Sequence, residues 1–204
     1  MRTGIYGGTF NPVHNGHINI LRGFYEKLNL DRIIVIPARV PPHKEAHSLA
    51  SEDDRMNMLQ LALTDIDMEV IISDIELLSE GKSYTYITLS KLREMYPDDE
   101  FYLLMGEDMF LIIDKWMNSE YIMRNAVICG SNRSSDGQIR MREYADNLQQ
   151  QRDYFRYRVV EIPFIDVSST QIRECADDFS AVSELVPRDV AEYITKNHLY
   201  HGGD

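Results

Sequence analysis

Residues 4–25 read Gly4-Ile5-Tyr6-Gly7-Gly8-Thr9-Phe10-Asn11-Pro12-Val13-His14-Asn15-Gly16-His17-Ile18-Asn19-Ile20-Leu21-Arg22-Gly23-Phe24-Tyr25. An apolar run, two glycines, a proline-stiffened loop and an amphipathic run follow in that order, which reads as strand, turn, loop and helix. In an open α/β sheet this turn sits at the carboxyl end of the first strand, where ligands bind. Gly7 and Gly8 lack a Cβ and tolerate positive φ, so backbone N–H groups there can approach an anion closely. His14 and His17 fall one turn apart at the helix entrance, so both rings can face one point. The helix N-terminus adds partial positive charge suited to phosphate.

Two phosphate motifs are excluded. No Gly-Lys-Ser/Thr follows the glycines, so this is not a Walker A loop, and no Gly-x-Gly-x-x-Gly is present. The histidine pair lacks both the His-Glu-x-x-His spacing and the Glu base of a helical zinc site. No metal held by protein side chains is expected.

Working outward, Ile33-Ile34-Val35-Ile36 closes at Pro37, as a strand buried on both faces does. A helix over 15–28 between it and the first run completes a β-α-β unit. Prolines 41 and 42 preclude regular structure in 38–44, which offers Arg39, His43 and Lys44 at the second strand's carboxyl end. Ser51 reads as the cap of a helix through Met56, Leu59 and Leu63, with Asp53 and Asp54 suited to its dipole. Further strands are expected at 68–74, 101–105, 126–130 and 159–162. Helices are expected after Ser83 as a cap, over 139–158 as a polar solvated element, and over 188–197 behind Pro187. Strands alternate with helices, so the expected fold is α/β, a doubly wound, Rossmann-like parallel sheet of about six strands with helices on both faces. One domain should span 1–204, its C-terminal helical segment 168–204 packing on the rest.

The chemistry-bearing residues follow strand carboxyl ends and therefore converge on one crevice. Gly106-Glu107-Asp108 follows the fourth run, with Trp116 just beyond. Ser168, Ser169 and Thr170 open another helix, with Arg173 one turn further in, and form a second place suited to phosphate. Alone that run is weak, because such residues cap helices routinely.

The 204 residues are 44% hydrophobic, enough for a core, and carry a formal net charge of −12. That charge argues against a nucleic-acid surface. It also means that polyphosphate would need local cations or Mg²⁺. Cys129 and Cys175 form no CxxC, the pattern of free thiols in a reducing compartment. The N-terminus has no signal-peptide pattern, and no apolar run approaches a membrane span. A cytoplasmic location without nucleic-acid or membrane partners is expected. A homo-oligomer is compatible with the sequence and not specified by it.

The first stretch resembles Gly-Gly-Thr-Phe-Asp-Pro-x-His-x-Gly-His, the signature of the adenylyltransferase branch of the His-x-Gly-His nucleotidyltransferases. Asn11 replaces the Asp, which argues against acid or base work at that position. Val167-Ser168-Ser169-Thr170-Gln171-Ile172-Arg173 resembles the same branch's C-terminal signature. Pro41-Pro42-His43-Lys44, Ser83-Tyr84-Thr85, Met105-Gly106-Glu107-Asp108 and Lys115-Trp116 look like motifs of bacterial nicotinate-nucleotide adenylyltransferases. The match spans nearly the whole chain in order.

The resemblance implies transfer of the adenylyl group of ATP to nicotinate mononucleotide, giving deamido-NAD and pyrophosphate, with Mg²⁺ carried by ATP. It implies that His14, His17 and Arg173 are catalytic. Gly8, Thr9, Phe10, His14, His17, Gly106, Asp108, Ser168, Ser169, Thr170 and Arg173 would bind ATP. Lys44, Tyr84, Thr85 and Trp116 would bind the second substrate, with Trp116 stacking on the pyridine and backbone N–H groups near Thr85 and Trp116 receiving its carboxylate. The rivals are an adenylyltransferase acting on phosphopantetheine or nicotinamide mononucleotide, and a non-catalytic nucleotide sensor. His14, Trp116 and Ser83-Tyr84-Thr85 speak against phosphopantetheine.

Overall fold

Strand β1, Arg2–Gly8, and strand β2, Arg32–Pro37, pair in parallel from Thr3↔Arg32 to Gly8↔Pro37. Their side chains alternate between two cores. Tyr6, Ile33 and Val35 face one, while Ile5, Ile34 and Ile36 face the other. That alternation is what a parallel sheet covered on both faces requires. The computed structural model of the chain describes residues 1–39, 49–79, 82–132 and 135–200.

The remaining strands are β3, Val70–Ile72; β4, Glu100–Gly106; β5, Ala126–Ser131; and β6, Tyr157–Val160. All pair in parallel, in the order β3-β2-β1-β4-β5-β6. The chain thus winds one way from β1 through β3 and the other from β4 through β6, the doubly wound arrangement expected from the sequence.

Helices α1, Asn15–Lys27, and α2, Glu52–Leu63, bury Leu21, Phe24, Met58 and Leu59 in the first core. The C-terminal helices join them there: α7, Ser169–Glu174, through Ile172; α8, Phe179–Leu185, through Val182; and α9, Arg188–Lys196, through Val190, Ala191 and Ile194. The second core takes α3, Thr85–Met95; α4, Glu107–Phe110; α5, Ser119–Asn125; and α6, Ser135–Gln151.

Several local expectations shift. The polar helix expected over 139–158 runs over Ser135–Gln151 instead, and Tyr157–Val160 is strand. Nor is it solvated all round, because Met141, Ala145 and Leu148 are buried on one face. Those three lie at i, i+4 and i+7, an apolar stripe masked by the surrounding Gln and Arg. The third strand contracts to Val70–Ile72 and the sixth moves two residues toward the N-terminus. Ser51 caps α2 by accepting the Asp54 N–H at 3.0 Å. Ser83 does not cap α3: the N-cap is Tyr84, without a side-chain cap bond, and Ser83 Oγ accepts the Arg39 N–H at 3.1 Å.

Candidate active site

The crevice exists because two strands part. Pairing of β1 with β4 ends at Ile5↔Leu103. Beyond it β1 stays with β2 as far as Gly8↔Pro37, and β4 stays with β5 as far as Gly106↔Ser131. The fork lies where the strand order reverses, the general ligand position of such sheets. Gly106 stands at its far side, and among the described residues, its chain neighbours aside, no atom lies within 4 Å of where its Cβ would be. Asp108, in the first turn of α4, is exposed.

At the near side, the loop after β1 is shaped by its own residues. A Cβ on Gly8 would meet the Phe10 ring at 2.8 Å. Phe10 adopts φ 50° and is 1% exposed, packed edge-on to Tyr6 at 5.7 Å and His17 at 5.1 Å. The Phe10 ring is therefore core, and what the residue can present to a ligand is its main chain.

The loop's carbonyls are tied back to the body of the protein. Arg55 Nη1 donates to Thr9 O at 2.9 Å, Arg173 Nη1 to Asn11 O at 2.9 Å, and Ser169 Oγ to Pro12 O at 2.9 Å. The Asn11 side chain, 5% exposed, accepts from the Ala50 N–H and the Tyr200 hydroxyl, each at 2.9 Å. A loop whose C=O groups are engaged behind it is left to present N–H groups in front, the polarity an anion site needs.

His14 is the N-cap of α1 and is buried. Its backbone N–H donates to His17 Nδ1 at 3.3 Å, and the two rings lie 3.7 Å apart at 32°. Because Nδ1 accepts, a neutral His17 carries its proton on Nε2. Gly16 makes the close pairing possible: a Cβ there would meet Val167 Cγ1 at 2.9 Å and His14 Nδ1 at 3.1 Å. The same contact brings the start of α7 against the start of α1, so two helix N-termini meet at one loop.

The residues opening α7 do more structural work than expected. Ser168 Oγ accepts the Gln171 N–H at 3.2 Å as the cap, and Thr170 Oγ1 accepts from Arg173 Nη2 at 3.1 Å. With the Ser169 and Arg173 bonds above, every member of this run has a partner inside the protein. Tyr84 and Thr85 lie at the entrance to α3, and Trp116 is half-buried beside the second core. The Trp116 N–H donates to Ile113 O at 3.2 Å in a short 3₁₀ turn. Lys44 and His43 lie outside the described residues. Arg39 is engaged by Ser79 O at 2.7 Å and Glu52 at 3.2 Å.

Sequence reasoning missed two residues here, Arg55 and Tyr200, which brace the glycine loop. It named Glu107 without a role; that side chain, 4% exposed, pairs with Arg140 and fills the space a Cβ on Gly137 would need. Arg55 alone left a signal, a charge three and four residues before Met58 and Leu59 on an apolar stripe.

Comparison with known proteins gives this geometry a family. A cytidylyltransferase-like family model matches residues 5–175. A protein of Carboxydothermus hydrogenoformans named "Probable nicotinate-nucleotide adenylyltransferase" is 36% identical over 201 residues, 98% of each chain. A Clostridium tetani protein of the same name is 35% identical, covering 96% of this chain and 97% of its own. The chain belongs to the nicotinate-nucleotide adenylyltransferase family. Among solved structures, Plasmodium falciparum nicotinic acid mononucleotide adenylyltransferase, complexed with NaAD, superposes with a TM-score of 0.76 at 21% identity, covering 98% of this chain and 97% of that one. The same parasite enzyme complexed with APC gives 0.75. At that identity the likeness speaks for the shared fold of an adenylyltransferase. Among the described residues, no helix is long and apolar enough to cross a membrane.

Proposed function

We propose that the crevice transfers the adenylyl group of ATP to nicotinate mononucleotide, giving deamido-NAD and pyrophosphate in NAD biosynthesis. The observation that carries this reading is the meeting of α1 and α7 at a glycine loop whose carbonyls are held back, facing an open Gly106 across the fork. An oxygen of the mononucleotide 5′-phosphate attacks the α-phosphorus of ATP. The α–β bridging P–O bond breaks, and pyrophosphate leaves with the electron pair. No protein nucleophile is needed, so catalysis is positioning and charge stabilisation.

In this reading Gly8, Thr9 and the Phe10 main chain cradle the triphosphate, and His17 Nε2–H, beside His14, donates to oxygens that gain charge. Adenosine lies over Gly106 and Asp108. Arg173 contributes charge while its Nη1 holds the loop, and Ser168, Ser169 and Thr170 act first by fixing α7. ATP enters as its Mg²⁺ complex, phosphate oxygens and water supplying ligands to the ion. Trp116 stacks on the pyridine. Its carboxylate is received by the first turn of α3, where the N-cap Tyr84 side chain leaves the N–H groups around Thr85 uncapped. Such donors face the NH₂ of an amide unfavourably, which favours the acid. Lys44 completes the phosphate contacts of the second substrate.

Pyrophosphate release is to be measured with Mg²⁺-ATP and, separately, nicotinate mononucleotide, nicotinamide mononucleotide and phosphopantetheine. Strong preference for the nicotinate form supports the reading. Equal rates with the amide refute the α3 carboxylate site, and release only with phosphopantetheine refutes the acceptor.

A further inference from the structure

Arg55 is 1% exposed and shares the buried face of α2 with Met58 and Leu59. A guanidinium in that position normally has a carboxylate. Among the described residues Arg55 has no ion pair. Glu52, which acts on it electrostatically, is paired with Arg39 Nε at 3.2 Å. Among the described residues, both Arg55 hydrogen bonds leave from Nη1, to Thr9 O at 2.9 Å and Ala38 O at 2.6 Å, and Nε is buried without a partner. Burial pushes the guanidinium's pKa down, with Glu52 and Tyr200 acting the other way. Arginine nevertheless stays protonated at neutral pH, so a positive charge with no ion-pair partner among the described residues lies directly behind the glycine loop.

The Thr9 and Ala38 carbonyls need a donor at this place, but a neutral donor would serve them without the desolvation cost of a buried charge. A chain of net charge −12 does need local cations wherever it binds polyphosphate. The loop that Arg55 braces at Thr9 is the loop assigned to phosphate, and Ala38 follows the neighbouring strand, so one nitrogen ties together the ends of β1 and β2.

We propose that Arg55 is the buried counter-charge of the phosphate site, a positioning residue that holds the Thr9 and Ala38 carbonyls back and whose positive charge is neutralised by the polyphosphate of the bound nucleotide. This rests on the reading of the glycine loop given above. The residue acts through the loop and through its field, without touching the reacting atoms.

The test is calorimetric titration of wild type, Arg55→Gln and Arg55→Lys with adenosine, AMP, ATP and inorganic tripolyphosphate, without acceptor so that nothing turns over. Thermal unfolding of each variant accompanies it. For Arg55→Gln, affinity for ATP and tripolyphosphate is expected to fall about 10-fold or more, AMP less, and adenosine by under about twofold, because the loss scales with ligand charge. Arg55→Lys keeps the charge and loses the fork, and should bind tripolyphosphate within about threefold of wild type. An equal loss for adenosine and ATP would reduce Arg55 to a scaffold and overturn the proposal. So would Lys falling as far as Gln. If Arg55→Gln does not fold, the Lys variant decides: a tripolyphosphate loss above about 10-fold overturns the charge role. Wild type binding neither ATP nor tripolyphosphate would refute the glycine-loop reading itself and this inference with it. Wild-type binding with variants unchanged refutes this inference alone.

Discussion

The bond from the His14 N–H to His17 Nδ1 sets the chemistry of a side chain from the backbone. It fixes which nitrogen carries the proton and so makes neutral His17 a donor through Nε2. His17→Ala should lower kcat about 10²- to 10³-fold, the usual cost of losing one preorganised donor. It should leave the fold intact, with a stability loss of about 1 kcal/mol for a weakened helix start. Wild-type kcat in this variant would remove His17 from the mechanism. Asn11 makes a different point. Its Oδ1 accepts two hydrogen bonds, which a carboxylate would accept equally well next to the Arg173 contact. Asn11→Asp should therefore keep kcat within about twofold, whereas Asn11→Leu, which strands two partly buried donors, should cost about 1–3 kcal/mol in a denaturant titration. At this scale the sequence was informative about which residues gather and less so about what they hold. Ser169 and Arg173 carry donors that suit a phosphate oxygen or a peptide carbonyl alike, and only the structure shows carbonyls of the first loop within their reach.

Between elements, the decisive contact is the first turn of α1 against the start of α7. Alanine normally favours a helix over glycine by about 1 kcal/mol. At Gly16 the sign reverses, because the new Cβ would lie 2.9 Å from Val167 and 3.1 Å from the His14 ring. Gly16→Ala should lower kcat/KM about 10-fold or more by displacing His14 or α7. Adding Val167→Ala should restore part of the loss by removing the nearer atom. Failure of the double variant to gain over the single would place the damage at His14 alone. Element order and the two-faced sheet were legible in the sequence because apolar runs ended at Gly or Pro with helical patterns between them. The boundaries of α6 were not, since Tyr157 and Arg158 continue a polar composition while already pairing with β5. The capping of α3 was also misread: Ser83 lies one residue too early and turns instead to the Arg39 N–H, a partner 44 residues away that no local pattern encodes.

Across the whole molecule, the candidate site and a large polar network occupy opposite ends of the sheet. The crevice lies at the carboxyl ends of the strands. At the amino ends, Asp99 accepts from Thr3 Oγ1 at 2.5 Å, Arg32 Nη2 at 2.6 Å and the Met1 ammonium at 3.2 Å, clamping β1, β2 and the approach to β4. Burial pushes the Asp99 carboxyl up, but these hydrogen bonds and the Arg32 charge outweigh it and hold the pKa below the usual carboxylate range. A depressed native pKa means that the unfolded state takes up the proton first as pH falls. The clamp's contribution is then full above the unfolded value of about 3.9 and is lost as pH drops through the lower native value. Asp99→Asn should cost about 2 kcal/mol at pH 7, the scale of a charge-assisted hydrogen bond. The gap from wild type should begin to close only below about pH 4. Because the clamp is a sheet's length from the fork, KM for both substrates should not change. Urea unfolding at pH 7 and pH 3.5 beside steady-state kinetics checks both halves. A gap that stays constant with pH would mean that Asp99 acts through shape and neutral hydrogen bonds, and a raised KM would mean that the two ends of the sheet are mechanically coupled.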